Sequence, residues 1–127
     1  MSKTIALRTE LQRKLKTLTT TVYYEEASDS AVYPYCVFEL NELLTEANKT
    51  VCQLEINLLD YGVSSSAIEI LADNIQRSLN KYFFVNTEIE FKTYQGSRQT
   101  VKEEDKQIIR RRLLFEVQLH EVKGDNE

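Results

Sequence analysis

The 127-residue chain has one histidine, one proline, two cysteines and three glycines, and each scarcity removes a class of function. With His120 as the sole histidine there is no histidine pair, and Cys36 and Cys52 stand too far apart for a Cys-x-x-Cys motif. The common zinc spacings are therefore missing, as is an aspartate-rich calcium loop. No glycine has another glycine near it, which removes phosphate-cradling loops. So few glycines and prolines also leave few places for flexible linkers. No apolar run approaches the roughly 20 residues needed to span a membrane. The start, Met1 to Arg8, lacks an apolar signal core and leads into charged helical sequence, so cytosolic synthesis is expected. Neither metal nor cofactor is expected.

What is present describes a soluble α+β protein. The length suits one domain, residues 1–127, with room for a real core. Hydrophobic content of 42% and charged content of 28% are ordinary for a globular chain. A net charge of −4 argues against general nucleic-acid binding, which needs a basic surface. The charge is unevenly spread: Lys3 to Lys16 is basic and Glu25 to Asp60 is mostly acidic. Opposite charges on different parts of a small protein suit self-association or docking, or are simply two solvated faces.

Hydrophobic periodicity orders the elements as α-β-β-β-α-β-β. Leu7, Leu11, Leu15 and Leu18 recur at helical spacing and predict a helix from Lys3 to about Thr20. Val22-Tyr23-Tyr24 predicts a short strand, and Glu25 to Ala31 a polar connection. Pro34 has no backbone N–H, so it belongs at a strand's entrance rather than its centre. The strand it leads, Tyr35 to Leu44, alternates Cys36, Phe38 and Leu40 on one side against Val37, Glu39 and Asn41. The next, Thr50 to Asp60, alternates Cys52, Leu54, Ile56 and Leu58 against Gln53, Glu55 and Asn57. A turn over Thr45 to Lys49 pairs Phe38 with Ile56, Leu40 with Leu54, Cys36 with Leu58 and Cys52 with Glu42. The two sulfurs are then roughly 20 Å apart at strand rise, beyond any disulfide, and both cysteines are expected free and buried. The serines Ser64 to Ser66 offer a cap for a second helix, Ala67 to about Phe83, with Glu69 placed for a capping box on Ser66. Two strands, Glu88 to Tyr94 and Ile108 to Val122, close the order around a polar loop over 95–107, with a frayed tail over 123–127. The expected architecture is a mostly antiparallel sheet with both helices packed on one face.

Candidate chemistry is sparse. His120 alternates outward while Cys36 and Cys52 point inward, so a nucleophile–histidine pair fails on facing, and no catalytic residue is assigned. Glu103-Glu104-Asp105 is flanked by Lys102 and Lys106 and reads as a soluble loop rather than a cation site. Tyr23, Tyr24, Tyr33 and Tyr35 have no interleaved basic residues, which favours edge or interface packing over base stacking. Arg110-Arg111-Arg112 is the sharpest charged feature. On a strand Arg110 and Arg112 share one face and Arg111 takes the other. They serve either as a solvated strand entrance that deters edge aggregation or as bidentate partners for carboxylates on another subunit. Arg98 shares the second possibility, so Arg98, Arg110 and Arg112 are the candidate interface residues.

Several motifs together carry a family resemblance: the N-terminal helix through Leu18, the strand Tyr33-Pro34-Tyr35-Cys36-Val37-Phe38, and the strand Cys52 to Leu58 with its Asp60-Tyr61-Gly62 turn. The following amphipathic helix and the basic-to-apolar strand Arg110 to Val117 complete it. The chain resembles the tail-terminator (tail-completion, tail-to-head joining) proteins of long-tailed bacteriophages and prophages. The resemblance implies a non-enzymatic structural protein of the virion tail or neck, assembled in the host bacterial cytoplasm. It implies a homo-hexameric ring that ends tail-tube polymerisation, with the tail-tube protein and a head-connector or completion protein as partners. DNA would pass through the lumen without specific binding. In that picture the 95–107 loop reaches a neighbour and the arginines face carboxylates across an interface. The alternatives are another neck or head-completion component, or an unrelated small binding module.

Overall fold

The computed structural model describes residues 2–122; the tail expected over 123–127 lies outside them. Two helices and six strands follow in the order α1 (Lys3–Lys16), β1 (Val22–Tyr24), β2 (Tyr35–Glu46), β3 (Lys49–Tyr61), α2 (Ser66–Leu79), β4 (Phe83–Val85), β5 (Ile89–Val101) and β6 (Ile108–Glu121). The α+β order is the expected one with the short strand β4 added. All six strands form one sheet, β1-β2-β3-β6-β5-β4, in which only β1 and β2 run parallel.

Both helices cover the same face. Leu7, Leu11 and Leu15 of α1 and Ile68, Ala72, Ile75 and Leu79 of α2 enter one core with the inward side chains of β2, β3, β5 and β6. Each such leucine or isoleucine contributes about 1.5–3 kcal/mol by leaving water. α1 starts at Ser2, whose Oγ accepts from the backbone N–H groups of Thr4 and Ile5, and ends with Arg13, Lys14 and Lys16 against the negative end of its dipole. Among the described residues the opposite face of the sheet carries no helix.

The β2–β3 register is the one that apolar alternation dictates: Phe38 faces Ile56, Leu40 faces Leu54, Cys36 faces Leu58 and Cys52 faces Glu42. Pro34 sits immediately before β2, and both cysteines are free and buried. Past Glu42 the register slips by one residue, a bulge at Leu43, before the tight turn at Ala47 and Asn48.

Three local expectations are corrected. α2 stops at Leu79 rather than near Phe83, because Asn80 is extended and Lys81 takes a left-handed φ of 58°, which frees Phe83–Val85 to pair with β5. Tyr82 still packs on the core, but from outside the helix. The loop expected over 95–107 is largely strand: Gln95 and Arg98–Val101 pair with β6, and only 102–107 connect the two. The side chains of 95–101 are polar apart from Gly96 and Val101 and none enters the core, so the strand carries no apolar alternation and resembles a loop. The capping box is absent as well. Ser65, not Ser66, is the N-cap, and the Glu69 side chain turns to arginines of the sheet.

Candidate functional site

The arginines collect at the end of the sheet where β6 begins, on both of its faces. On the helix-covered face, Arg98 and Arg111 converge on α2. Arg98 Nη2 donates to Glu69 Oε1 at 2.9 Å and Nη1 to Asp73 Oδ1 at 2.7 Å, while Arg111 Nε reaches the same Glu69 oxygen at 2.9 Å. Hydrogen bonding from Arg98, reinforced by Arg111 and opposed by partial burial, lowers the Glu69 pKa below its ordinary 4.5. Glu69 also lies in the first turn of α2, where the helix dipole favours a carboxylate.

Arg98 faces α2 because of a bulge. Gln95 lies opposite Phe115 and Arg98 opposite Leu113, so β5 spends one residue more than β6 across Gly96 and Ser97. Strand side chains alternate with a period of two, so one extra residue moves everything after it to the other face. Without it Arg98 would project from the bare face, 180° away from Glu69. Gly96 permits the close approach, since a Cβ there would sit 2.6 Å from the Leu114 carbonyl oxygen.

On the bare face, Arg110 and Arg112 are strung along a polar row. Arg110 Nη1 donates to Glu103 Oε1 at 2.9 Å and its Nε to Asn57 Oδ1 at 3.0 Å. Asn57 in turn donates to Glu55 at 2.8 Å, and Arg112 lies 3.6 Å from that same Glu55 oxygen. Arg112 Nε is buried with no hydrogen-bond partner. The structure thus gives Arg98, Arg110 and Arg112 carboxylate partners within the chain, and leaves their side chains 25%, 24% and 32% exposed.

Two hollows flank the row. One of about 460 Å³ lies beside the β5–β6 connection and includes Lys102, Lys106, Val63 and Ile108. Another of about 350 Å³ on the bare face places Glu25, Glu26, Glu39 and Glu55 around Tyr35. Tyr35 belongs to an aromatic row with Tyr23, Tyr33 and Tyr61, at ring separations of 5.2–6.0 Å. For Tyr23, Tyr33 and Tyr35 that is the edge packing expected, and Tyr61 joins it from the end of β3.

Elsewhere the chemistry stays apart. His120 lines a small hollow with Phe83, Glu90, Lys92, Tyr94 and Gln118, where no serine or cysteine reaches it. Burial pushes the Cys36 thiol up to about 12, and burial with the nearby Glu42 raises that of Cys52, so neither is an activated nucleophile. Among the described residues no three His, Cys, Asp or Glu side chains form a metal-binding group, and no helix is long and apolar enough to cross a membrane.

Sequence reasoning missed the two open edges of the sheet. β1 covers only Cys36–Phe38 of β2, and β4 covers only Glu90–Lys92 of β5. Among the described residues, the outer halves, from Leu40 to Glu46 and from Tyr94 to Val101, have no strand beyond them. The exposed pair Leu43 and Leu44, at 61% and 51%, stands in the first. Two adjacent leucines among Asn41, Glu42, Thr45 and Glu46 were the available signal, since Leu43 is out of phase with Cys36, Phe38 and Leu40 and Glu42 interrupts the series before Leu44.

No protein-family model and no curated protein sequence matches the chain. Its fold is similar to that of a chain in the solved structure of the virion of a native gene transfer agent particle, with a TM-score of 0.67 and 13% identity over 84% of each chain.

Proposed function

We propose that the chain is a non-enzymatic structural subunit of a phage-like virion, and within it a tail terminator. In this role copies close into a ring, expected to be a hexamer, on the end of the tail tube, stop its polymerisation and join it to the head connector. The observation that carries the reading is the fold likeness to a chain of the gene transfer agent virion, which joins the sequence resemblance to tail terminators over the same order of elements. The absence of a nucleophile–histidine pair among the described residues and a net charge of −4 are compatible with a lumen that DNA crosses without being held. Arg98, Arg110 and Arg112 enter the reading as ordered, partly exposed cations whose internal partners hold them in place for a facing carboxylate.

Negative-stain imaging of the protein mixed with tail tubes tests it. A ring seated on one end of each tube, with tube growth halted, is the expected result. Protein that stays monomeric both alone and with tubes overturns the reading, and density only on head-side particles replaces it with a head-completion role.

A further inference from the structure

We infer that copies of this chain associate side by side, the open half of β2 in one copy against the open half of β5 in the next. The inference rests on the ring reading above and names its contact surface. An uncovered strand presents a row of backbone donors and acceptors that pairs readily with another strand. Here there are two such rows, one on each lateral edge of the same sheet; Asn41–Glu46 are exposed in the first, and Gln95–Ser97, Gln99 and Thr100 in the second, where Asn80 Oδ1 accepts from the Gln95 N–H.

Polarity and charge both select the unlike pair. β2, β3, β6 and β5 are successively antiparallel, so β2 and β5 run in opposite directions. Two copies in the same orientation therefore bring antiparallel edges together, continuing the pattern of the sheet. The open half of β2 holds Glu42 and Glu46 and no cation; that of β5 holds Arg98, already paired with Glu69 and Asp73, with Lys102 just past its end, and no acid. Glu39, Glu42, Glu46 and Lys102 form no ion pair among the described residues. A β2–β2 contact would set two carboxylates against two, which like-charge repulsion disfavours, whereas β2 against β5 brings them toward Lys102 and the partly exposed Arg98. Such a contact is heterologous and each copy offers both halves, so the chain of copies ends only by closing. The open halves also lie toward opposite ends of the strands, so pairing offsets neighbours along the strand direction. Closed sheets accommodate that offset as strand tilt.

Asn41 and Gln99 both lie on the bare face, so Asn41→Cys and Gln99→Cys in one chain test the contact by oxidation at concentrations where the unmodified protein assembles. The double variant is expected to give a ladder of cross-linked species, dimer upward, on a non-reducing gel, and each single variant only monomer. A separate Glu42→Lys/Glu46→Lys variant, folded by circular dichroism, is expected to need roughly tenfold more protein to assemble. Assembly of the unmodified protein with no ladder from the double variant overturns the inference and leaves the ring reading standing. A cross-linked dimer from either single variant overturns it in favour of a two-fold contact. An unmodified protein that never assembles, alone or on tubes, removes the ring reading and this inference together.

Discussion

Arg98 of β5 and Glu69 of α2 meet at 2.9 Å across the edge of the core, and the same carboxylate oxygen receives Arg111 of β6. One helix residue thereby ties together two neighbouring strands beyond the point where apolar packing holds them. The carboxylate is 42% exposed, which limits its worth to that of a good partly solvated pair.

Glu69→Gln should therefore cost about 1 kcal/mol at neutral pH, read from the shift in urea midpoint. The folded pKa lies below the ordinary 4.5, so the stabilisation is present above that value and is lost as pH falls through the folded pKa. The glutamine variant should converge with the native protein in acid. A difference that stays constant from neutral pH downward would rule out the ion-pair origin.

Gly96→Ala should destabilise by about 2 kcal/mol, because the new Cβ meets the Leu114 carbonyl oxygen at 2.6 Å and backbone must move. Thermal melts followed by circular dichroism measure this. An unchanged melting temperature would show that the bulge relaxes without strain.

The two thiols should be inert in the folded protein. Cys36 is fully buried with its pKa raised to about 12, and Cys52 is nearly so. A thiol-reactive chromogenic disulfide should label neither within minutes at neutral pH and both in denaturant. Recovery of fewer than two thiols after unfolding would indicate a bridge, which the register of Cys36 on Leu58 and Cys52 on Glu42 excludes.

Tyr82→Phe should cost about 1.5–3 kcal/mol, the range for a hydrogen bond to a charged partner. The hydroxyl donates to Glu10 Oε2 at 2.8 Å and joins α1 to the segment after α2. Burial raises the Glu10 pKa, but hydrogen bonds from Arg13 and Tyr82 outweigh it and leave it lowered. The phenylalanine variant should lose part of that depression, seen as a higher Glu10 titration midpoint by NMR. An unmoved midpoint would mean that the cations Arg13 and Lys14 set it.

The parts of the fold legible in the sequence are those where apolar residues must face one another. Cys36, Phe38 and Leu40 against Leu58, Ile56 and Leu54 fix the β2–β3 register because a one-residue slip would turn one strand's three outward while the other three stay inward. Gln95 to Val101 were illegible for the converse reason: their strand is held by backbone ladder and by Arg98, and nothing in a run of polar side chains reports that. Glu69 shows a second limit. Its spacing from Ser66 suits a capping box, but arginines distant in sequence bind it, and only the folded arrangement brings them near. Arg98, Arg110 and Arg112 were visible as a charged group, whereas their partners Asp73, Glu103 and Glu55 depend on the β5 bulge and the β3–β6 register.

The extra residue at Gly96–Ser97 also governs how this chain can change in length. Losing one residue there would not shorten a loop. It would carry Arg98 and Thr100 to the bare face and bring Gln99 and Val101 over α2, exchanging the inner and outer surfaces of the whole strand end. A two-residue change would preserve the facing, and the connection over 102–107 would absorb an insertion of any size. Relatives of this chain should therefore differ in length freely between β5 and β6, and only by even numbers within β5 itself.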